Sequence, residues 1–171
     1  MQMSEHGRRM LQALEGVRAT PYLDVAGLET VGCGHLLTAD EQRTGVLSIA
    51  GVAVSYRARA LTAREIDQLL AQDLAACERA LTDAVQVELA PHQADALLSW
   101  VFNVGITAMR HSTLLSHLNA GDLDAVPDEL RRWNRAGGHV IRGLTARRER
   151  ECACWEGRED HGSSPGQALN G

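Results

Sequence analysis

Residues 14–38 read LEGVRATPYLDVAGLETVGCGHLLT, and the reading of this stretch decides the architecture. Around Glu15, the apolar residues Met10, Leu11, Leu14 and Val17 recur at helical spacing behind a capping Ser4, and Gly16 supplies a stop. That spacing predicts a helix over 5–15. Beyond Gly16 the pattern becomes β-like, with Tyr22, Thr30 and Val31 as strand formers and a turn expected at Val25-Ala26-Gly27.

Working outward, VLSIAGVAVSY reads as a second hairpin, with strands near 46–50 and 52–56 around Gly51, and ADEQRTG before it as a helical turn. The period then changes. Ile66, Leu69, Leu70, Leu74, Cys77 and Leu81 mark a helix over 62–83, opened by a Thr62/Glu65 capping box. At 1.5 Å per residue it would be about 33 Å long, enough to join two lobes. Further helices are expected over 91–103 with Pro91 in the first turn, from Ser112 to near Gly121, from Asp122 to about Asn134, and over 145–155 after a break at Gly137-Gly138. The fold class is therefore α+β and mostly helical. A β-containing lobe (17–60) is joined by a linking helix (61–83) to a helical lobe (84–157), all within one domain over 1–157. Residues 158–171 are polar and turn-rich and are expected to form a disordered tail.

Bulk composition narrows the function classes. With 4% aromatic residues, small aliphatic side chains must fill the core, which favours helices over a sandwich. A formal net charge of -5 disfavours nucleic acid as a partner. All seventeen basic residues are Arg, and seven of them lie between Arg131 and Arg150 with Glu149 as the one acid in that span, which predicts a local basic rim for an acidic polymer. Cys33, Cys77, Cys152 and Cys154 lack zinc-finger or local disulfide spacing and read as reduced core thiols. The proximity of Cys152, Cys154 and His161 is a poor zinc arrangement, so neither metal nor cofactor is expected. The N-terminus does not read as a signal peptide, and no apolar run approaches the ~20 residues of a membrane span.

The chemistry lies in Glu15-x8-Asp24-x5-Thr30. Two carboxylates across a cleft are the minimum equipment for cutting a glycosidic bond. Glu15 ends its helix, where the dipole presents its negative end and favours retention of a proton, as a general acid requires. Asp24, in a turn, would stay ionised and activate water or shield an oxocarbenium-like centre. Under strand alternation Thr30, Gly32 and Gly34 share one face, and two bare glycines would let a sugar chain approach the backbone. Val31, Cys33 and His35 take the other face. Asp73 lies in the apolar stripe of the long helix and needs a partner, and His35 is the expected one, tying hairpin to helix.

These residues, with TVGCGHLLT after them and ALLSWVFNVG, STLLSHLNAGD and RRWNRAGGHVIRGLTARRERE further on, resemble phage-type lysozymes, the endolysins of glycoside hydrolase family 24, over residues 5–156. The resemblance implies cleavage of the β-1,4 bond between N-acetylmuramic acid and N-acetylglucosamine of bacterial peptidoglycan. It implies Glu15 as acid, Asp24 as partner carboxylate and Thr30 as holder of water or sugar. It also implies inversion, with the carboxylates in the roughly 6.5–9.5 Å range. Leu36 and Phe102 match cleft-lining positions. Arg147 matches an arginine facing the Glu, where it would oppose the helix dipole. Cys33 departs from the usual aliphatic or aromatic residue, so its oxidation would disturb the backing of the site. The insert at 45–59 is longer than a minimal hairpin.

Two alternatives stand beside this reading. A lytic transglycosylase would need no second carboxylate and would leave an anhydro end, and a silent wall-binding or tail module would need no intact triad. The expected enzyme is a monomer that accumulates in the host cytoplasm, is released by a separate pore-forming protein (a holin) and acts on the periplasmic wall.

Overall fold

The computed structural model describes residues 1–24 and 27–158. The first helix, α1 (Glu5–Glu15), is capped by Ser4, whose hydroxyl accepts from Gly7 N–H, and it ends at Gly16 with φ +75°. A three-stranded antiparallel sheet follows, β1 (Arg18–Leu23), β2 (Glu29–Gly32) and β3 (His35–Leu36). Tyr22 pairs with Thr30 and Thr30 with Leu36, while a bulge between Arg18 and Tyr22 absorbs Pro21, which has no N–H for a ladder. Val25 and Ala26 of the expected turn lie outside the described residues.

Thr38 caps the short α2 (Ala39–Thr44) with a full capping box. The strands β4 (Val46–Ile49) and β5 (Val52–Ser55) then form the second hairpin, turning through Ala50 (φ 50°) and Gly51 (φ 79°). It is not a loose insert. Tyr56 donates its hydroxyl to Glu41 O at 3.0 Å, and Gln72 donates to Ser48 O at 2.9 Å.

The long helix α3 (Ala63–Ala84) opens with Thr62 and Glu65 in reciprocal capping, and buries Ile66, Leu69, Leu70, Leu74, Cys77 and Leu81. It leads into α4 (Pro91–Val104), buried along most of its length, then α5 (Ile106–Arg110), α6 (Thr113–Asn119), a 3-10 turn (Leu123–Ala125) and α7 (Val126–Arg131). The strands β6 (Arg135–Ala136) and β7 (His139–Val140) and the last helix α8 (Arg142–Trp155) complete the order. The architecture is the expected one, a small β lobe joined by a long helix to a larger helical lobe.

Several local expectations need correction. The segment expected as one helix from Asp122 to about Asn134 is a 3-10 turn followed by a helix that stops at Arg131. Gly137 and Gly138, with φ of 56° and 81°, do not merely break the chain but turn a two-stranded hairpin. The last helix begins at Arg142 rather than 145. Of the tail, residues 159–171, and with them His161, lie outside the described residues.

α1 belongs to the helical lobe by packing although it precedes the sheet. Buried Asp95 of α4 accepts from Ser4 N at 2.8 Å and from Ser4 Oγ at 2.5 Å. A Cβ at Gly7 would stand 2.5 Å from Asp95 Cγ, so only glycine permits this approach. The end of α1 is thereby carried to the junction of the lobes.

Candidate active site

Glu15 closes α1, and its side chain is 20% exposed. Arg147 Nη1 donates to Glu15 Oε1 at 2.6 Å. The guanidinium is itself held twice more, donating from Nη2 to Ser99 O at 3.0 Å and from Nε to Glu151 Oε1 at 3.1 Å. On the other side lies the turn after β2. A Cβ at Gly34, where φ is +73°, would sit 3.3 Å from Glu15 Oε2 and 3.5 Å from Phe102 Cε1. Helix end, glycine turn and the Phe102 ring of α4 therefore meet at one carboxyl. Two neighbours from the sheet face it as well. The Tyr22 hydroxyl is shifted upward by burial and then by Glu15, and burial, with Glu15 adding to it, pushes the Cys33 thiol to about 12. Both are neutral near neutral pH.

Asp24 sits past the end of β1, where its carboxylate accepts from Leu28 N–H at 2.8 Å. Its own N–H donates to Leu28 O at 2.9 Å. Thr30 lies opposite Tyr22 and Leu36 in the sheet, is 4% exposed, and donates its hydroxyl to Leu28 O at 3.1 Å. Leu36 is half exposed.

Gly32 is placed differently from the expectation of a bare glycine face toward substrate. It is buried, its φ of +68° ends the alternation of the strand, and a Cβ there would meet Leu69 Cδ2 at 3.5 Å and Ile66 Cγ2 at 3.8 Å on α3. It backs the sheet against the long helix and does not face substrate.

His35 and Asp73 meet as expected, with Nδ1 at 2.9 and 3.0 Å from the two carboxylate oxygens. A second acid not anticipated from sequence, Glu41, stands 3.4 Å from Nε2. Burial alone would lower the His35 pKa, but Asp73, and behind it Glu41, raise it above its ordinary value.

The expected basic rim is largely neutralised. Arg131 pairs with Glu149 and Asp128, Arg132 with Glu129, and Arg147 with Glu15 and Glu151, while Arg148 stands against Glu151 and donates to Asn103 Oδ1 at 2.6 Å. Most of these acids precede or follow the counted stretch in sequence, so a local tally of charges misses them. Arg147 and Arg148 are buried, not rim residues.

The sequence profile of the phage lysozymes matches residues 12–151, which contain this whole arrangement. The chain belongs to the phage lysozyme family. It is similar to the SAR-endolysin of Escherichia phage Mu, being 38% identical over 151 residues that cover 88% of this chain and 79% of that protein. Among solved structures it is similar to a P22 lysozyme mutant, with a TM-score of 0.75, 35% identity and coverage of 91% of this chain and 99% of that one. It is similar to the same degree to the endolysin from Escherichia coli O157:H7 phage FAHEc1, with a TM-score of 0.75, 30% identity and coverage of 91% and 93%. The chain is a lysozyme-type glycoside hydrolase acting on peptidoglycan. Among the described residues no helix is long and apolar enough to cross a membrane.

Proposed function

We propose that this phage lysozyme hydrolyses the β-1,4 bond between N-acetylmuramic acid and N-acetylglucosamine with Glu15 as general acid. The observation that carries the assignment is the convergence on one carboxyl of a helix end, a glycine turn and an arginine fork whose orientation is set by two further partners. In the protonated state Glu15 donates to the leaving glycosidic oxygen. Asp24, ionised in its turn, takes a proton from a water that attacks the anomeric carbon from the opposite face, which inverts the configuration. Thr30 has its hydroxyl hydrogen engaged by Leu28 O, so its oxygen is left to accept a hydrogen bond from that water. Gly34, half-exposed Leu36 and Phe102 contribute the wall against the sugar. The enzyme works as a monomer in host lysis, made in the host cytoplasm and admitted to the periplasmic wall by a separate pore-forming protein.

Digestion of purified peptidoglycan in heavy-oxygen water, followed by mass analysis, tests the chemistry. One heavy oxygen per new reducing end is the expected result. Anhydro ends would establish the transglycosylase reading instead.

A further inference from the structure

The cluster behind Glu15 contains an acid that the mechanism above does not use. Glu151 is 0% exposed. Its Oε1 accepts from Ser99 Oγ at 2.8 Å and from Arg147 Nε at 3.1 Å, and its Oε2 lies 3.1 Å from Arg148 Nε. Helical geometry explains the meeting, because Arg147 and Arg148 lie four and three residues before Glu151 on α8. All its neighbours are donors, and arginine cannot give up its charge in a protein, so Glu151 is held as an acceptor-only carboxylate. Burial raises its pKa above the ordinary carboxylate value, and Arg148, Arg147 and the Ser99 hydroxyl offset that rise only in part.

The charges do not balance by accident of the surface, since none of these groups reaches it freely. Two buried guanidinium groups face the Glu15 end of α1, and one buried carboxylate stands between them. We propose that Glu151 is a positioning residue for the muramidase reaction, which aims Arg147 at Glu15 and cancels one of two buried positive charges beside the acid. With Glu151 ionised, one net positive charge faces Glu15, and without it there are two. Two would favour the ionised form of Glu15, which cannot act as an acid. From the sheet side Tyr22 and Cys33 face Glu15, both neutral in this range, with Arg18 and Asp24 beyond Tyr22 and Asp73 and Asp67 beyond Cys33. The α8 cluster supplies the fixed charge in direct contact with Glu15, Arg147 at 2.6 Å.

The inference rests on Glu15 being the general acid, and the test separates the two. Rates on purified peptidoglycan are measured against pH for the wild type, Glu15→Gln, Glu151→Gln and Arg148→Met. Glu151→Gln is expected to move the upper pH limit of activity down by about one pH unit, and Arg148→Met, which removes the opposite charge, to move it up. A purely structural role would lower the amount of active enzyme equally at every pH and leave the limit in place. An unmoved limit in Glu151→Gln overturns the inference. If that variant does not fold, Arg148→Met carries the test alone, and a limit that stays or moves down overturns it. Wild-type activity in Glu15→Gln would instead remove the assignment beneath it.

Discussion

Glu15 and Asp24 are nine positions apart in sequence, yet they are held in opposite ways. Glu15 takes its hydrogen bond from Arg147, 132 residues away, and that arginine is steered by Ser99 and Glu151. Asp24 is held by Leu28, four residues on, within its own turn. The acid's surroundings thus draw on the packed α1, α4 and α8 helices, whereas the second carboxylate accepts a backbone hydrogen bond from a residue close by in sequence. A change at Ser99, Arg147 or Glu151 therefore bears on Glu15, while a change at Leu28 bears on Asp24.

The largest effect is expected from Glu15→Gln. It should lower the rate of peptidoglycan solubilisation by roughly 10²- to 10⁴-fold, the range lost with a general acid, and a wild-type rate would end the comparison by removing one of its members. Asp24→Asn should cost roughly 10²-fold in rate, since it loses the base while its remaining oxygen still accepts from Leu28. Because the amide keeps the hydrogen bond from Leu28 N–H, the thermal stability of this variant should stay within about 0.5 kcal/mol of wild type. A large fall in stability would show that Asp24 is tied into the tertiary structure as firmly as Glu15.

The tie between lobes can be probed through His35. Its folded pKa is raised, so its stabilisation is full below the unfolded value near 6.5 and fades as pH rises through the higher folded value. His35→Asn should therefore cost roughly 2–3 kcal/mol in denaturant unfolding at pH 5.5 and much less at pH 9. A deficit that does not change with pH would assign the loss to packing rather than to the charged pair with Asp73. The smallest effect is expected from Gly34→Ala, about 1–2 kcal/mol for a side chain at positive φ. Its added methyl would press on Glu15, so activity should fall further than stability alone explains. Equal losses would place Gly34 outside the comparison.

The lobed fold was legible because each of its decisive signals is local. Thr62 and Glu65 announce the long helix by capping chemistry alone, and Gly51 between alternating apolar residues announces the second hairpin. The pairing of His35 with Asp73 was legible too, because an acid in an apolar stripe demands a partner. What escaped was set by tertiary placement. Nothing in the strand pattern of Gly32 shows that it turns to Leu69 and Ile66, since period-2 alternation presumes the extended backbone that its positive φ abandons. Glu151 carries no local signal, because its burial depends on α4 packing against α8. The same holds for Asp95, whose bonds to Ser4 bridge 91 positions. The hairpin at Gly137-Gly138 was missed because its strands have only two residues each, too few for any period.

Optical chromophores divide between the same two regions. Trp100, Trp133 and Trp155 all follow α3 in sequence, and the first two stack edge to face at 5.4 Å and 73°. Tyr22 and Tyr56 both precede it. Tryptophan emission and the near-ultraviolet dichroism of the stacked indoles will thus report melting of the helical part, and the phenol bands that of the β part. The unmodified chain can reveal in a single heating scan whether the halves of its cleft come apart together.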